Sequence, residues 1–226
     1  MFRPAQTQDH DGIIALWCEA FADTCEAVDG FFAAFPDCRS YVAEEDGRIL
    51  SMVHALPQVL RTEEDLSAAY VYAVATARDA RGRGLCAGLM SFAEDDLRSQ
   101  GFACAVLTPG EPSLFEFYEK LGYKTAFFRS RTPFPGGREI SVADYARLRE
   151  QLLPGAHMVY DVRTLEYARN IYGLRFYDTA VGCAAAGASY TAEVLPDDCG
   201  GAPHAMIKWL RGEKPLKEAY LGFSLE

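Results

Sequence analysis

The stretch best fitted to chemistry is Arg78-Asp79-Ala80-Arg81-Gly82-Arg83-Gly84-Leu85. Glycines here let the backbone take positive φ and come close to a ligand. A helix beginning near Leu85 would leave its first N–H groups without internal partners and aim its positive dipole end into the loop. Such a turn is an anion site suited to a pyrophosphate, and Arg81 and Arg83 add positive charge. The spacing is not that of a P-loop, GxxxxGK[ST], and no acidic residue closes a following strand as a dinucleotide fingerprint requires. Cys86, in the first turn, reads either as a thiol activated by the helix end or as a small residue placed for its size.

The pattern on either side says which elements must hold this loop. Residues 68–76 read as a strand and 85–99 as a helix with Leu85, Leu89, Phe92, Ala93 and Leu97 on one face. Gly101 stops that helix, and a strand at 102–108, a helix at about 112–121 and a strand at 123–131 follow. Strand, helix and strand of these lengths imply a parallel pair joined by a crossover. Upstream, a short extended start precedes a helix capped by Asp9 or Asp11 and carrying Ile13, Ile14, Leu16, Trp17 and Phe21. A second helix at 24–34 stops before Pro36, and strands at 38–44 and 48–61 form a hairpin over Asp46-Gly47.

The cluster Thr132-Pro133-Phe134-Pro135-Gly136-Gly137 is the expected boundary between residues 1–132 and a smaller lobe of residues 133–226. That lobe should hold helices from a Ser141 cap to before Pro154 and from an Asp161 cap over 162–172, and strands near 174–180, 182–188 and 190–195. A last helix is expected at about 204–211.

The loop resembles the acyl-CoA signature of the GNAT (GCN5-related N-acetyltransferase) superfamily, [QR]-x-x-G-x-[GA], read here from Arg81 to Cys86 with cysteine at the last position. Downstream, Phe117-Tyr118-Glu119-Lys120-Leu121-Gly122-Tyr123 is similar to the family's FY-x-[KR]-x-G-[FY]. The resemblance covers about residues 1–130. It implies an α+β GNAT fold, a mixed twisted sheet with a splayed parallel strand pair, here followed by a smaller C-terminal α/β lobe. It implies acetyl-CoA as co-substrate, its pantetheine arm on the main chain of Val74, Ala75 and Thr76. Its pyrophosphate would lie on the amides of Gly82, Arg83, Gly84, Leu85, Cys86 and Ala87, with Arg81 beside it.

The resemblance also places Tyr118 where many members protonate the departing thiolate, a task a neutral phenol can perform. Many relatives carry a glutamate base on the strand before the loop; Tyr70 stands at that position. His54 is the alternative best suited by intrinsic pKa, with Glu111, Glu116 and the terminal carboxylate of Glu226 behind it. The implied reaction is transfer of an acetyl or short acyl group to a primary amine in a ternary complex. The competing reading is an acyl-CoA-binding regulatory or interaction module without turnover.

Composition bounds the partners. The 226 residues carry a net charge of −10, which argues against nucleic acid and fits weakly with a cationic acceptor. No apolar run reaches the roughly 18–20 residues of a membrane span, and the start has no secretory pattern, so the expected location is the cytoplasm. Seven cysteines without a CxxC pair read as small buried residues rather than a disulfide framework or zinc site, and no metal is expected. The second lobe is expected either to cover the acceptor side of the cleft or to form a homodimer.

Overall fold

The computed structural model describes residues 1–153, 155–197, 199–216 and 219–223. The first half runs β1 (Phe2–Pro4), α1 (His10–Phe21), α2 (Cys25–Ala34), β2 (Arg39–Glu45), β3 (Arg48–Arg61), β4 (Asp65–Thr76), α3 (Leu85–Ser99), β5 (Cys104–Leu107), α4 (Ser113–Lys120) and β6 (Lys124–Arg129). The second runs β7 (Arg138–Glu139), α5 (Val142–Leu152), β8 (Ala156–Val159), α6 (Val162–Tyr172), β9 (Arg175–Thr179), β10 (Gly182–Ala186), β11 (Thr191–Leu195), β12 (Ala202–Trp209) and β13 (Ala219–Tyr220).

Local chemistry explains the boundaries. Ser141 and Asp161 accept hydrogen bonds from the Asp144 and Thr164 amides at 3.1 and 2.8 Å and so cap α5 and α6. Gly173 ends α6 at φ +63°. Asp46 and Gly47, at φ +50° and +80°, turn β2 back into β3.

Nine strands form a mixed sheet in the order β1-β2-β3-β4-β5-β12-β6-β13-β8. β8 also pairs with the far end of β3, through Val59↔Val159 to Arg61↔His157, so the strands from β3 round to β8 make a closed circuit of hydrogen bonds. A second sheet, β11-β10-β9-β7, stands beside α5. The two-residue period of β3 and β4 divides the core. Met52, Leu56, Ala68 and Tyr70 face the cluster containing α1, α2 and the C-terminal strands. Val53, Ala55, Ala69 and Val71 face the cluster under α3 and α4. Both faces are covered, which is why these strands read as near-continuous apolar runs.

The structure corrects one expectation. Residues 202–209 are not a helix but β12, inserted antiparallel between β5 and β6 with Met206↔Leu107 on one side and Ile207↔Lys124 on the other. The Pro/Gly cluster at 132–137 therefore divides the chain rather than the sheet, because β8, β12 and β13 all belong to the nine-stranded sheet.

A buried ion pair ties the second half together. Arg149 of α5, fully buried, meets Glu193 of β11 at 3.1 Å and donates to the carbonyls of Met158 and Leu221 at 3.0 and 3.2 Å. Tyr145 donates to the same carboxylate.

Candidate functional site

The site begins where β4 and β5 part. They pair in parallel only through Ala68↔Cys104, Ala69↔Ala105 and Tyr70↔Val106. Beyond Tyr70 the strands splay, and a pocket of about 350 Å3 opens between Val71–Val74 on one side and Leu107, Thr108 and α4 on the other. On its opposite edge β4 carries an extra residue: Tyr72 faces His54 and Ala75 faces Met52, so three steps on β4 match two on β3. The bulge centres on Ala73 at φ +46°, a left-handed conformation uncommon for alanine. Val74, the next residue, lines the pocket, and β4 has no pairing on the β5 side beyond Tyr70.

The loop after β4 has the expected form. Gly82 and Gly84 take φ +77° and +76°, and Gly84 caps α3 with no side-chain hydrogen bond to the helix end. A Cβ at either glycine would meet nothing within 4 Å, so conformation rather than crowding requires them. Arg81 Nε donates to the Thr76 carbonyl at 3.2 Å, tying the loop to β4. Arg83 pairs with Glu45 at 2.9 Å on the exposed side. Burial pushes the Cys86 thiol up to about 11, the Thr76 hydroxyl opposing this, so Cys86 is protonated at neutral pH and the size reading fits it better than the thiolate reading.

Tyr118 lies on α4, 7% exposed, and lines the pocket. Its ring packs against Phe117 and Tyr123 at 5.2 and 5.8 Å between centroids. Burial, with Cys86 nearby as the smaller cause, holds its phenol above the usual value and therefore neutral. Tyr70 also lines the pocket, its hydroxyl 3.3 Å from Thr108 Oγ1.

His54 stands apart from this group. It is fully buried, is not among the pocket's lining residues, and has its Nδ1 2.8 Å from Ser40 Oγ. Trp17 and Phe32 close over its ring at 5.0 and 5.5 Å, and desolvation lowers its pKa to about 3. Glu111 accepts from Ser113 at 2.6 Å, Glu116 pairs with Lys120 at 2.8 Å, and neither lines the pocket. Glu226 lies outside the described residues.

The carboxylate that does line the pocket is Asp23, in the turn between α1 and α2, where it accepts a 2.8 Å hydrogen bond from Trp17 Nε1. Sequence reasoning missed it, since a single aspartate in a polar turn carries no signal beyond solvation. Phe31 and Phe35 are core residues, with Phe31 stacked on Tyr72 at 5.2 Å. Among the described residues no group of three or more His, Cys, Asp or Glu side chains could hold a metal ion, and no helix is long and apolar enough to cross a membrane.

A family model described as an acetyltransferase (GNAT) domain matches residues 1–126, more than half of the chain. A search of curated proteins finds no match. Among solved structures, a GCN5-related N-acetyltransferase from Kribbella flavida superposes with a TM-score of 0.67 at 15% identity, over 93% of this chain and 72% of that one. A GCN5-related N-acetyltransferase from Anabaena variabilis gives 0.68 at 12% identity, over 93% and 73%. A probable N-acyltransferase of unknown function from Enterococcus faecalis gives 0.65 at 18% identity, over 84% of this chain. The present chain spans about half, 52%, of that protein. At these identities the likeness is one of fold, and it extends through both halves of the chain.

Proposed function

The chain belongs to the GNAT acetyltransferase family, and from that premise we propose that it moves an acetyl group from acetyl-CoA to a primary amine by direct attack in a ternary complex. The observation that carries this reading is the pocket between the splayed ends of β4 and β5, with the glycine loop following β4 and Tyr118 in its wall.

Each part has a task. The amides of residues 82–87, at the uncapped start of α3, receive the pyrophosphate. The edge of β4 left open on the β5 side, at Val74, Ala75 and Thr76, takes the amide-bearing pantetheine arm as an added strand, beside the Arg81 side chain that holds the Thr76 carbonyl. The Val74 amide, turned by the bulge at Ala73, polarises the thioester carbonyl. The amine nitrogen attacks the carbonyl carbon to form a tetrahedral intermediate, whose collapse breaks the C–S bond. Tyr118, neutral in its buried setting, donates its proton to the departing thiolate. The proton lost by the amine passes through water to Asp23, which receives it better than His54, since that ring is sealed from the pocket.

The test is release of CoA thiol from acetyl-CoA in the presence of a panel of primary amines. Acceptor-dependent release, with an acetylated product of the expected mass, is the expected result. Acetyl-CoA binding without release from any amine would overturn the transferase reading in favour of a non-catalytic acyl-CoA-binding module.

A further inference from the structure

A second and larger pocket, of about 600 Å3, lies between the end of β6 and β11. Arg129 and Arg131 stand on one wall; Tyr172, Leu174, Tyr190 and Phe223 supply much of the rest. Its volume falls within the range of small-molecule sites, and its lining is mixed, with charged and hydroxyl-bearing side chains beside the apolar ones.

The charges are the informative part. Arg129 has an enclosed Nε with no hydrogen-bond partner, and neither it nor Arg131 forms an ion pair among the described residues. The carboxylates nearby are already engaged. Glu193, which lines the pocket, is paired with Arg149 at 3.1 Å, and Asp197 accepts from the amides of Ser130 and Cys199 at 3.2 and 2.7 Å. Glu193 is held by Arg149, so in a chain of net charge −10 the two arginines of this lining are left without an acidic partner among the described residues. A buried donor without a partner costs free energy unless a ligand or water meets it.

The pocket adjoins the one between β4 and β5. Tyr172 lines this pocket, and its hydroxyl is 3.3 Å from that of Tyr72, which lines the other pocket. A ligand anchored at the arginines would therefore extend toward the proposed acetyl-transfer site across this tyrosine pair.

We propose that this pocket is the distal subsite for the acceptor, which is an amine with an apolar body and a carboxylate received by Arg129 and Arg131. The inference rests on the transferase reading and adds the substrate class to it. A guanidinium fork matches a carboxylate with two parallel hydrogen bonds, while Leu174, Tyr190 and Phe223 accommodate the body. The acceptor is then anionic at one end, contrary to the weak expectation of a cationic one drawn from net charge.

The test uses the full chain and matched pairs of amines that carry the carboxylate at the end remote from the nitrogen and differ only by it: 6-aminohexanoate with pentylamine, 8-aminooctanoate with heptylamine, and 4-(aminomethyl)benzoate with benzylamine. The readouts are kcat/KM for CoA release and calorimetric affinity in the presence of CoA. At least one carboxylated member should exceed its partner. Arg129→Gln and Arg131→Gln should each reduce that preference by roughly 10–100-fold, the range expected for a hydrogen bond to a charged group. Arg131 is exposed, so its variant remains informative if Arg129→Gln fails to fold. Release with no carboxylate preference in any pair would overturn the subsite and leave the transferase reading standing. Arginine-dependent binding of a carboxylated amine without release would uphold the subsite and overturn the transferase reading. Neither binding nor release would overturn both.

Discussion

Tyr118 and His54 show how burial sends two titratable residues in different directions. For a phenol, desolvation favours the neutral form, and that is the form a proton donor needs. Tyr118→Phe should lower kcat by about 10²–10⁴-fold, the usual contribution of a positioned acid, with acetyl-CoA affinity little changed. Weakened binding with unchanged turnover, measured by titration and by initial rates, would contradict the acid role. Because its pKa is raised, Tyr118 should remain protonated beyond its ordinary value of about 10, so kcat should show no loss from this group between pH 7 and 9.5. For the imidazole, burial also favours the neutral form, which lowers its pKa to about 3. Its ordinary value is about 6.5, so the unfolded chain binds the additional proton first. The stability associated with neutral His54 is present above pH 6.5 and is lost as the pH falls toward 3. Between pH 6.5 and 4.5 this amounts to about 2 kcal/mol, and urea unfolding of His54→Gln across that window should show a correspondingly flatter dependence.

The bulge in β4 makes the opening usable, and Ala73 is its weak point. An alanine at φ +46° is already strained, and a branched side chain there is more so. Ala73→Val should destabilise by about 1–3 kcal/mol and weaken acetyl-CoA binding, whereas Ala73→Gly should bind normally and melt at the same or a higher temperature. Thermal melts and CoA titrations would measure this, and a Val variant identical to wild type in both would show that the bulge constrains nothing. The bulge was not legible in the sequence, because alanine carries no mark of positive φ. The neighbouring elements were legible where a residue type announces them. Gly82 and Gly84 mark the loop, Asp46-Gly47 the hairpin, and Ser141 and Asp161 the starts of α5 and α6. β12 was misread for the opposite reason. Its central residues Ala205, Met206 and Ile207 are all buried, so the strand lacks the alternation that separates a strand from a short buried helix. Asp23 was invisible because its significance comes from the pocket that α1 and β4 build around it.

At the scale of the molecule, the C-terminal half completes the sheet that forms the site. β5 has only a three-residue pairing with β4, since the two must splay for the pocket to exist. Its other edge is held by β12, which also supports β6, and β8 then returns to β3 to close the circuit. An opening between parallel strands weakens the sheet at that point, and a strand arriving from later in the chain restores pairing on the far side. Removing residues 133–226 should therefore abolish cooperative unfolding and acetyl-CoA binding, with aggregation through the exposed edges of β5 and β6. A milder perturbation separates assembly from bulk deletion. Glu193→Gln leaves the fully buried Arg149 without its counter-charge, and breaking such a pair costs about 3–5 kcal/mol. For a chain of this size that corresponds to a fall in Tm of roughly 6–20 °C, measurable by scanning calorimetry. A soluble 1–132 fragment with a cooperative melt and intact acetyl-CoA affinity would show instead that β12 is an addition to a sheet already stable without it.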